Sequence, residues 1–425
     1  MSRRRFLGQG ALAAGALLAP ALVRAQTDAA ASPVPAVPAP GPRGVTIPEA
    51  PAIPQPPGAA SYTARVKALR ERMAMVGVDA AIIPPGADMQ YLTGLELQRR
   101  ERFVVLVLPR EGQTMLLCPD VEEGAGSLPG PIDRIVRWKD DEAPDRMLIE
   151  HLKDLKLQER RIALGLQTYY EEMAEIYAAL PKVVFVSAGP LTRYLRERKS
   201  EEEIALIRAA AILADRTIAL CWNDVREGMT EKDLSALIAG RAATVAGIPV
   251  GAVGRAQFGG NTARRHAAST DRRLVKDDPI VMELGVRLHG YWGRVSRTGI
   301  LGQPTGRMKT IQAMILESRS RSVEMAREGI SAAALYEKAR SSLGTRGFSK
   351  FVPVRIGQGL GLEPEERPYL SPVYHERLAP GNVVTFEPGV ETPEEYGIRS
   401  GDVLEISLAG GRFLTGTPEA IVEIG

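Results

Sequence analysis

Histidine and cysteine are scarce in this 425-residue chain, with four histidines (His151, His266, His289, His375) and two cysteines (Cys118, Cys221). Two cysteines cannot supply a zinc ribbon or finger, and so few scattered histidines exclude a histidine-rich metal centre. Long apolar runs are missing as well. The one uncharged apolar stretch of note, Ala11 to Leu22, is too short to span a bilayer stably. No Gly-x-Ser-x-Gly elbow occurs, and Gly357 to Gly361 lacks the following Lys-Ser/Thr of a phosphate loop. What is present is globular in kind: 44% hydrophobic and 25% charged residues. Those values exclude a disordered chain, a collagen-like fibre and a small disulfide scaffold.

The first 25 residues read as an address. Arg3-Arg4-Arg5-Phe6-Leu7, the apolar stretch and the small residues around Ala25 form a twin-arginine export signal. The expected location is periplasmic or extracellular, with no stable membrane anchor after cleavage. That segment carries four arginines and no acids, so its removal takes the net charge from +3 to −1. The basicity therefore belongs to the signal and gives no support for nucleic-acid binding. Residues 26–59 follow, with ten prolines among Ala, Val and Gly, and read as an extended linker.

From residue 60 the pattern alternates. Helices are expected over 61–76, 144–155 and 168–179, and strands over 78–83, 103–108, 114–118, 161–164 and 183–186. This is an α/β layer domain, placed at 60–195. A second domain, 196–425, opens with a capping box, Ser200 and Glu203, ahead of a helix to about Trp222. Thr230 with Asp233 caps a second helix to about Ala246, and residues 256–300 read as strands. Helices at 307–328 and 332–343 then precede strands at 351–408. Arg226-Glu227-Gly228-Met229-Thr230 matches Arg327-Glu328-Gly329-Ile330-Ser331 at an offset of 101 residues. Two helix-helix-sheet halves about a pseudo-twofold axis are expected. Cys221, inside an apolar helical run, is expected to be buried and inert.

Several stretches together carry a family resemblance: Gly260-Asn261-Thr262 with His266, Gly285, Gly290-Tyr291 and Arg297-Thr298. They continue with Gly357 to Leu362, Glu366-Arg367-Pro368, Thr385-Phe386-Glu387-Pro388-Gly389 and Gly397-Ile398-Arg399. In this order the chain resembles the pita-bread metallopeptidases, the group of Xaa-Pro aminopeptidase, prolidase and the metal-free creatinase. The implied fold class is α/β: a small creatinase-type N-terminal domain followed by a pita-bread C-terminal domain. Relatives commonly form homodimers, so a homodimer is implied.

The resemblance also implies a dimetal site of two Asp, one His and two Glu. Those five positions fall here on Glu283, Arg294, Gln358, Glu387 and Gly401. Such centres need several anionic or imidazole ligands, so no metal and no other cofactor is expected. A guanidinium at the former bridging position can pair with both remaining carboxylates, and Arg294 is expected to stand in for the metal charge. The alternative is that Arg294 points to solvent from a shifted strand. His266 and Glu387 are the candidate catalytic pair, as general base and acid without metal. The family's second active-site histidine falls on Glu365, a hydrogen-bond acceptor or a surface residue. Arg294, Glu283, Gln358, Glu365, Tyr291 and Arg399 are the candidate substrate-binding residues. Three functions stay open: a metal-independent hydrolase or binding protein for a small peptide, amide or guanidino ligand, a catalytically dead binding or scaffold protein, and an Xaa-Pro aminopeptidase with atypical ligands.

Overall fold

The computed structural model describes residues 42, 44–121, 130–344, 347–416 and 420–425. The expected signal, 1–25, and linker residues 26–41 lie outside the described residues. Linker residues 44–58 do not hang free. They form no helix or strand, but Val45 and Ile53 pack against the main apolar core, and the Pro48 carbonyl accepts from Arg216 at 2.5 Å.

The N-terminal domain begins with α1 (Ala59–Val76), whose Leu69 and Met73 are fully buried. Its sheet contains β1 (Ala80–Ile83), β2 (Val105–Pro109), β3 (Met115–Pro119), β4 (Arg134–Trp138), β5 (Arg161–Leu164) and β6 (Val184–Ser187). The spatial order is β4-β3-β2-β1-β5-β6. β2 runs antiparallel to both its neighbours, and the other pairs are parallel. Helices α2 (Ala87–Thr93), α3 (Pro144–Asp154), α4 (Tyr170–Ala179) and α5 (Gly189–Glu197) complete the layer. β4, α2 and α5 are absent from the sequence reading. β4 sits at a sheet edge with little burial, and the other two are short and almost wholly committed to tertiary contacts.

The C-terminal domain opens with α6 (Glu201–Cys221), which starts at the predicted capping box. Glu203 serves twice. Its backbone N–H and its Oε2 close the cap with Ser200, and its Oε1 accepts from Tyr291 (2.9 Å) and pairs with Arg65 of α1 (3.5 Å). The cap is thus also a bolt between the domains. α7 (Glu231–Ala246) starts at the second predicted box, Thr230 and Asp233. The strands of this half are β7 (Gly251–Phe258), β8 (Pro279–Leu288) and β9 (Tyr291–Leu301). Within the predicted 256–300 strand region, residues 259–278 instead form a short 3-10 turn and a loop.

The second half supplies α8 (Gly306–Met325), α9 (Ala332–Leu343), β10 (Gln358–Gly359), β11 (Glu366–Tyr369), β12 (Val383–Phe386) and β13 (Gly389–Thr392). β14 (Tyr396–Arg399), β15 (Asp402–Ser407), β16 (Gly410–Phe413) and β17 (Val422–Ile424) follow. One sheet reads β17-β9-β8-β7, another β11-β10-β12-β15-β16, and β13 and β14 form a hairpin. A bridge between Ser296 and Gly401 stitches the two larger sheets, with N···O distances of 3.0 and 3.1 Å. Both faces of these strands are covered, so their near-continuous apolar runs are those of a buried sheet.

The repeat is visible bond for bond. Gly228 and Gly329 hold φ of 84° and 83°, left-handed values that a Cβ would strain. Each glycine N–H donates at 2.8 Å, to Leu274 and Leu378 respectively. Arg273 returns a bond to the Gly228 carbonyl at 2.7 Å, and Arg377 does the same at Gly329 at 2.6 Å. The match at an offset of 101 residues is therefore more than shared turn chemistry.

Candidate functional site

The cross-strand register assembles the site. Glu283 on β8 faces Arg255 on β7 and Ser296 on β9, and Arg294 lies two residues before Ser296 on the same sheet face. Glu387 follows β12, and the Ser296–Gly401 bridge brings that sheet alongside. Buried Arg297, on the opposite face of β9, fixes the junction by donating to the Gly401 carbonyl (2.6 Å), Asp215 (2.9 Å) and Asp402 (2.9 Å).

Arg294 enters the site rather than solvent. Its Nη2 pairs with Glu283, its Nε lies 3.6 Å from Glu387, and its Nη1 lies 3.8 Å from Glu365. Around it stand three further guanidiniums. Arg255 pairs with Glu283, Arg399 Nη2 is 3.9 Å from Glu283, and Arg265 binds Glu387 (3.2 Å) and Glu391 (2.6 Å). The cluster thus holds four arginines against four glutamates, Glu283, Glu365, Glu387 and Glu391. Burial pushes the Glu283 carboxyl up, but Arg294, Arg255 and Arg399 outweigh it and hold it at about 2. Burial and the nearby Arg265 lower Arg399 to about 10, with Glu283 only partly offsetting them. Carboxylates held this way are anions locked in ion pairs, a poor arrangement for proton transfer near neutral pH.

The predicted residues do not all meet. His266 is exposed and, among the described residues, makes neither a side-chain hydrogen bond nor an ion pair; its neighbour Arg265 holds Glu387 instead. The expected His266–Glu387 pair is therefore not formed. Tyr291, expected in the pocket, is spent on Glu203 and Arg65 at the domain junction. Arg399 lies beneath the site, 1% exposed, donating to the Thr262 carbonyl (3.0 Å) and Gln257 (2.8 Å). Gln358 is buried, with its backbone N–H on Thr385 (3.2 Å). Glu365 is half exposed and also meets Arg355 at 3.3 Å. Arg255, Arg265 and Glu391 were not among the predicted residues. No register count from Glu283 reaches Arg255, because residues 259–278 separate β7 from β8. Nothing local marks Glu391.

Residues 205–407 match metallopeptidase family M24, and residues 65–198 match the creatinase/prolidase N-terminal domain. The chain belongs to the pita-bread M24 family. A prolidase from Thermococcus sibiricus superposes with a TM-score of 0.79 at 25% identity, covering 85% of this chain and 98% of that one. A dipeptidase from Pyrococcus horikoshii gives 0.79 at 27%, covering 85% and 100%. An uncharacterized peptidase of Staphylococcus aureus is 27% identical over 337 residues, 79% of this chain and 94% of that one.

A dimetal centre does not fit the residues at this site. Glu283 and Glu387 are both committed to guanidiniums, and the Arg294 cation lies between them. A Cβ at Gly401 would stand 2.6 Å from Ser296 Oγ and 3.0 Å from Glu387 Cγ, so Ser296 fills the room a fifth ligand would need. Among the described residues no group of three or more His, Cys, Asp or Glu side chains is placed to hold a metal ion.

Proposed function

We propose that this chain is an exported M24 relative that binds a small peptide-like ligand without metal-dependent peptidase chemistry. The observation that carries the reading is the placement of Arg294 between Glu283 and Glu387. One internal cation there does the electrostatic work of the metals, because two facing carboxylates otherwise repel and one protonates. Binding is favoured over hydrolysis because Glu387 is held by Arg265 and Arg294, and His266 stands apart. Export rests on the twin-arginine pattern, and mass spectrometry of the mature chain should find it beginning near Gln26.

Elemental analysis after incubation with manganese, cobalt or zinc should return no stoichiometric metal. Xaa-Pro dipeptides should not turn over under the same conditions. About two ions per chain, or metal-dependent turnover, overturns the reading.

A further inference from the structure

A cavity of about 400 Å³ lies where α5 of the N-terminal domain meets the Glu363–Tyr374 segment of the C-terminal domain. Most charged groups in its wall are paired within the protein. Arg196 binds Glu363 (2.6 Å) and Glu366 (2.5 Å), Arg367 binds Glu376 (2.6 Å), and Glu365 lies between Arg355 and Arg294. Two are not. Among the described residues Arg193 and Glu197, both half-buried and both lining the cavity, make no side-chain hydrogen bond or ion pair, though Lys199 and Arg367 act on Glu197 electrostatically. They sit one turn apart on α5 in the order Arg then Glu, the weaker orientation for a helical pair. Burial also holds the Glu197 carboxyl above its usual range, with Lys199 only partly opposing it. The remaining wall is apolar and aromatic: Leu166, and Tyr369 packed edge-to-face on Tyr374 with ring centres 4.9 Å apart.

We propose that this interdomain cavity binds a free α-amino acid with an apolar side chain. Its carboxylate meets Arg193, its ammonium meets Glu197, and its side chain lies against Leu166 and the two tyrosines. The three chemical features are what such a zwitterion presents: one anion, one cation and an apolar branch. The volume falls within the range of small-molecule sites. Bidentate pairing suits Arg193 to a carboxylate, and the tyrosine faces suit an apolar or aromatic branch. This goes beyond the central cluster, since neither Arg193 nor Glu197 belongs to it. Glu365 is the one residue common to both.

Calorimetric titration of the full mature chain with L-leucine and L-phenylalanine tests the site. One of the two should bind saturably, one per chain. The N-acetyl and the carboxamide derivatives of that amino acid, each lacking one charge, should bind about ten-fold more weakly or worse. Glu197→Gln and Arg193→Gln should each weaken the free amino acid by a similar factor without shifting the thermal midpoint. The derivatives test the same contacts on the unaltered protein should a variant misfold. No saturable binding of either amino acid overturns the proposal, and so does undiminished binding of the acetylated form. Loss of binding in Arg294→Ala with retention in both α5 variants would place the ligand in the central cluster and also overturn it.

Discussion

At the scale of the residue, one cation organises the charges near it. Arg294 pairs with Glu283 and lies close to Glu365 and Glu387, in a network of ion pairs. Glu283 is the most telling member, because its carboxyl is lowered from 4.5 to about 2 by Arg294, Arg255 and Arg399 against the opposing pull of burial. A depressed carboxyl contributes stability above its unfolded value, and that contribution fades as pH falls through its folded value. Urea unfolding of the wild type and of Glu283→Gln should therefore show a stability gap that is constant above about pH 5. The gap should shrink as pH falls toward about 2. A gap independent of pH would mean that Glu283 is no anion in the folded protein. Arg294→Ala should cost about 3–5 kcal/mol at neutral pH, the usual penalty for breaking a buried pair. A loss within about 0.5 kcal/mol, the range of an ordinary surface change, would show that Arg294 stands outside the network. The placement of Arg294 was expected only through the family resemblance, which sets it at a ligand position; the strand pattern alone left open that it pointed to solvent. The isolation of His266 was not legible in the sequence, because a side chain on a loop is aimed by contacts distant in sequence.

At the scale of the element, the strongest sequence signals were those with local chemistry. Ser200 with Glu203 and Thr230 with Asp233 close their capping boxes where a hydroxyl and an acid three residues apart predict them. The glycine before each second helix of the repeat is equally legible, since left-handed backbone requires it. The 259–278 loop was misread as strand because its order comes from side chains such as Gln257, Arg272 and Arg399 and, above all, from one acid outside it. Fully buried Glu231, the first residue of α7, accepts from the Phe258 N–H (2.7 Å), Asn261 Nδ2 (3.0 Å), the Thr270 N–H (2.8 Å) and Thr270 Oγ1 (2.7 Å). That carboxylate ties the start of the loop to its later turn, and Arg265 rides between them. Glu231→Ala leaves the buried Phe258 N–H without its acceptor and removes three further bonds to the loop, so a loss of about 2–4 kcal/mol is expected. Hydrogen exchange should speed up across 258–270 and remain slow in α6. Uniform exchange changes, or none, would show that the loop is held by something else.

At the scale of the whole molecule, the two domains are joined by charge as much as by apolar contact. Buried Arg196 of α5 binds Asp88 of the N-terminal domain (2.7 Å) and both Glu363 and Glu366 of the C-terminal domain (2.6 and 2.5 Å). Lys199, in the connecting segment, adds a second cation to Glu366 at 3.1 Å. Burial raises the Glu366 carboxyl, yet Lys199 and Arg196 together bring it down to about 2. Nothing in the sequence pairs these residues, since Asp88 and Glu366 lie far apart in the chain and meet only through the domain arrangement. The consequence is mechanical. Three acids converge on one guanidinium, so Arg196→Met leaves them facing each other across the domain boundary with only Lys199 to offset them. That arrangement costs about 3–5 kcal/mol, as for other broken buried pairs, and the cost falls on the junction rather than on either core. Scanning calorimetry should therefore record one cooperative transition for the wild type and a split or broadened one for Arg196→Met. The earlier component should move to higher temperature as pH is lowered toward 4, where the repelling acids begin to protonate. A single transition with an unchanged midpoint would show that the apolar packing alone couples the domains, and the polar cluster would then be a consequence of their contact and not its cause.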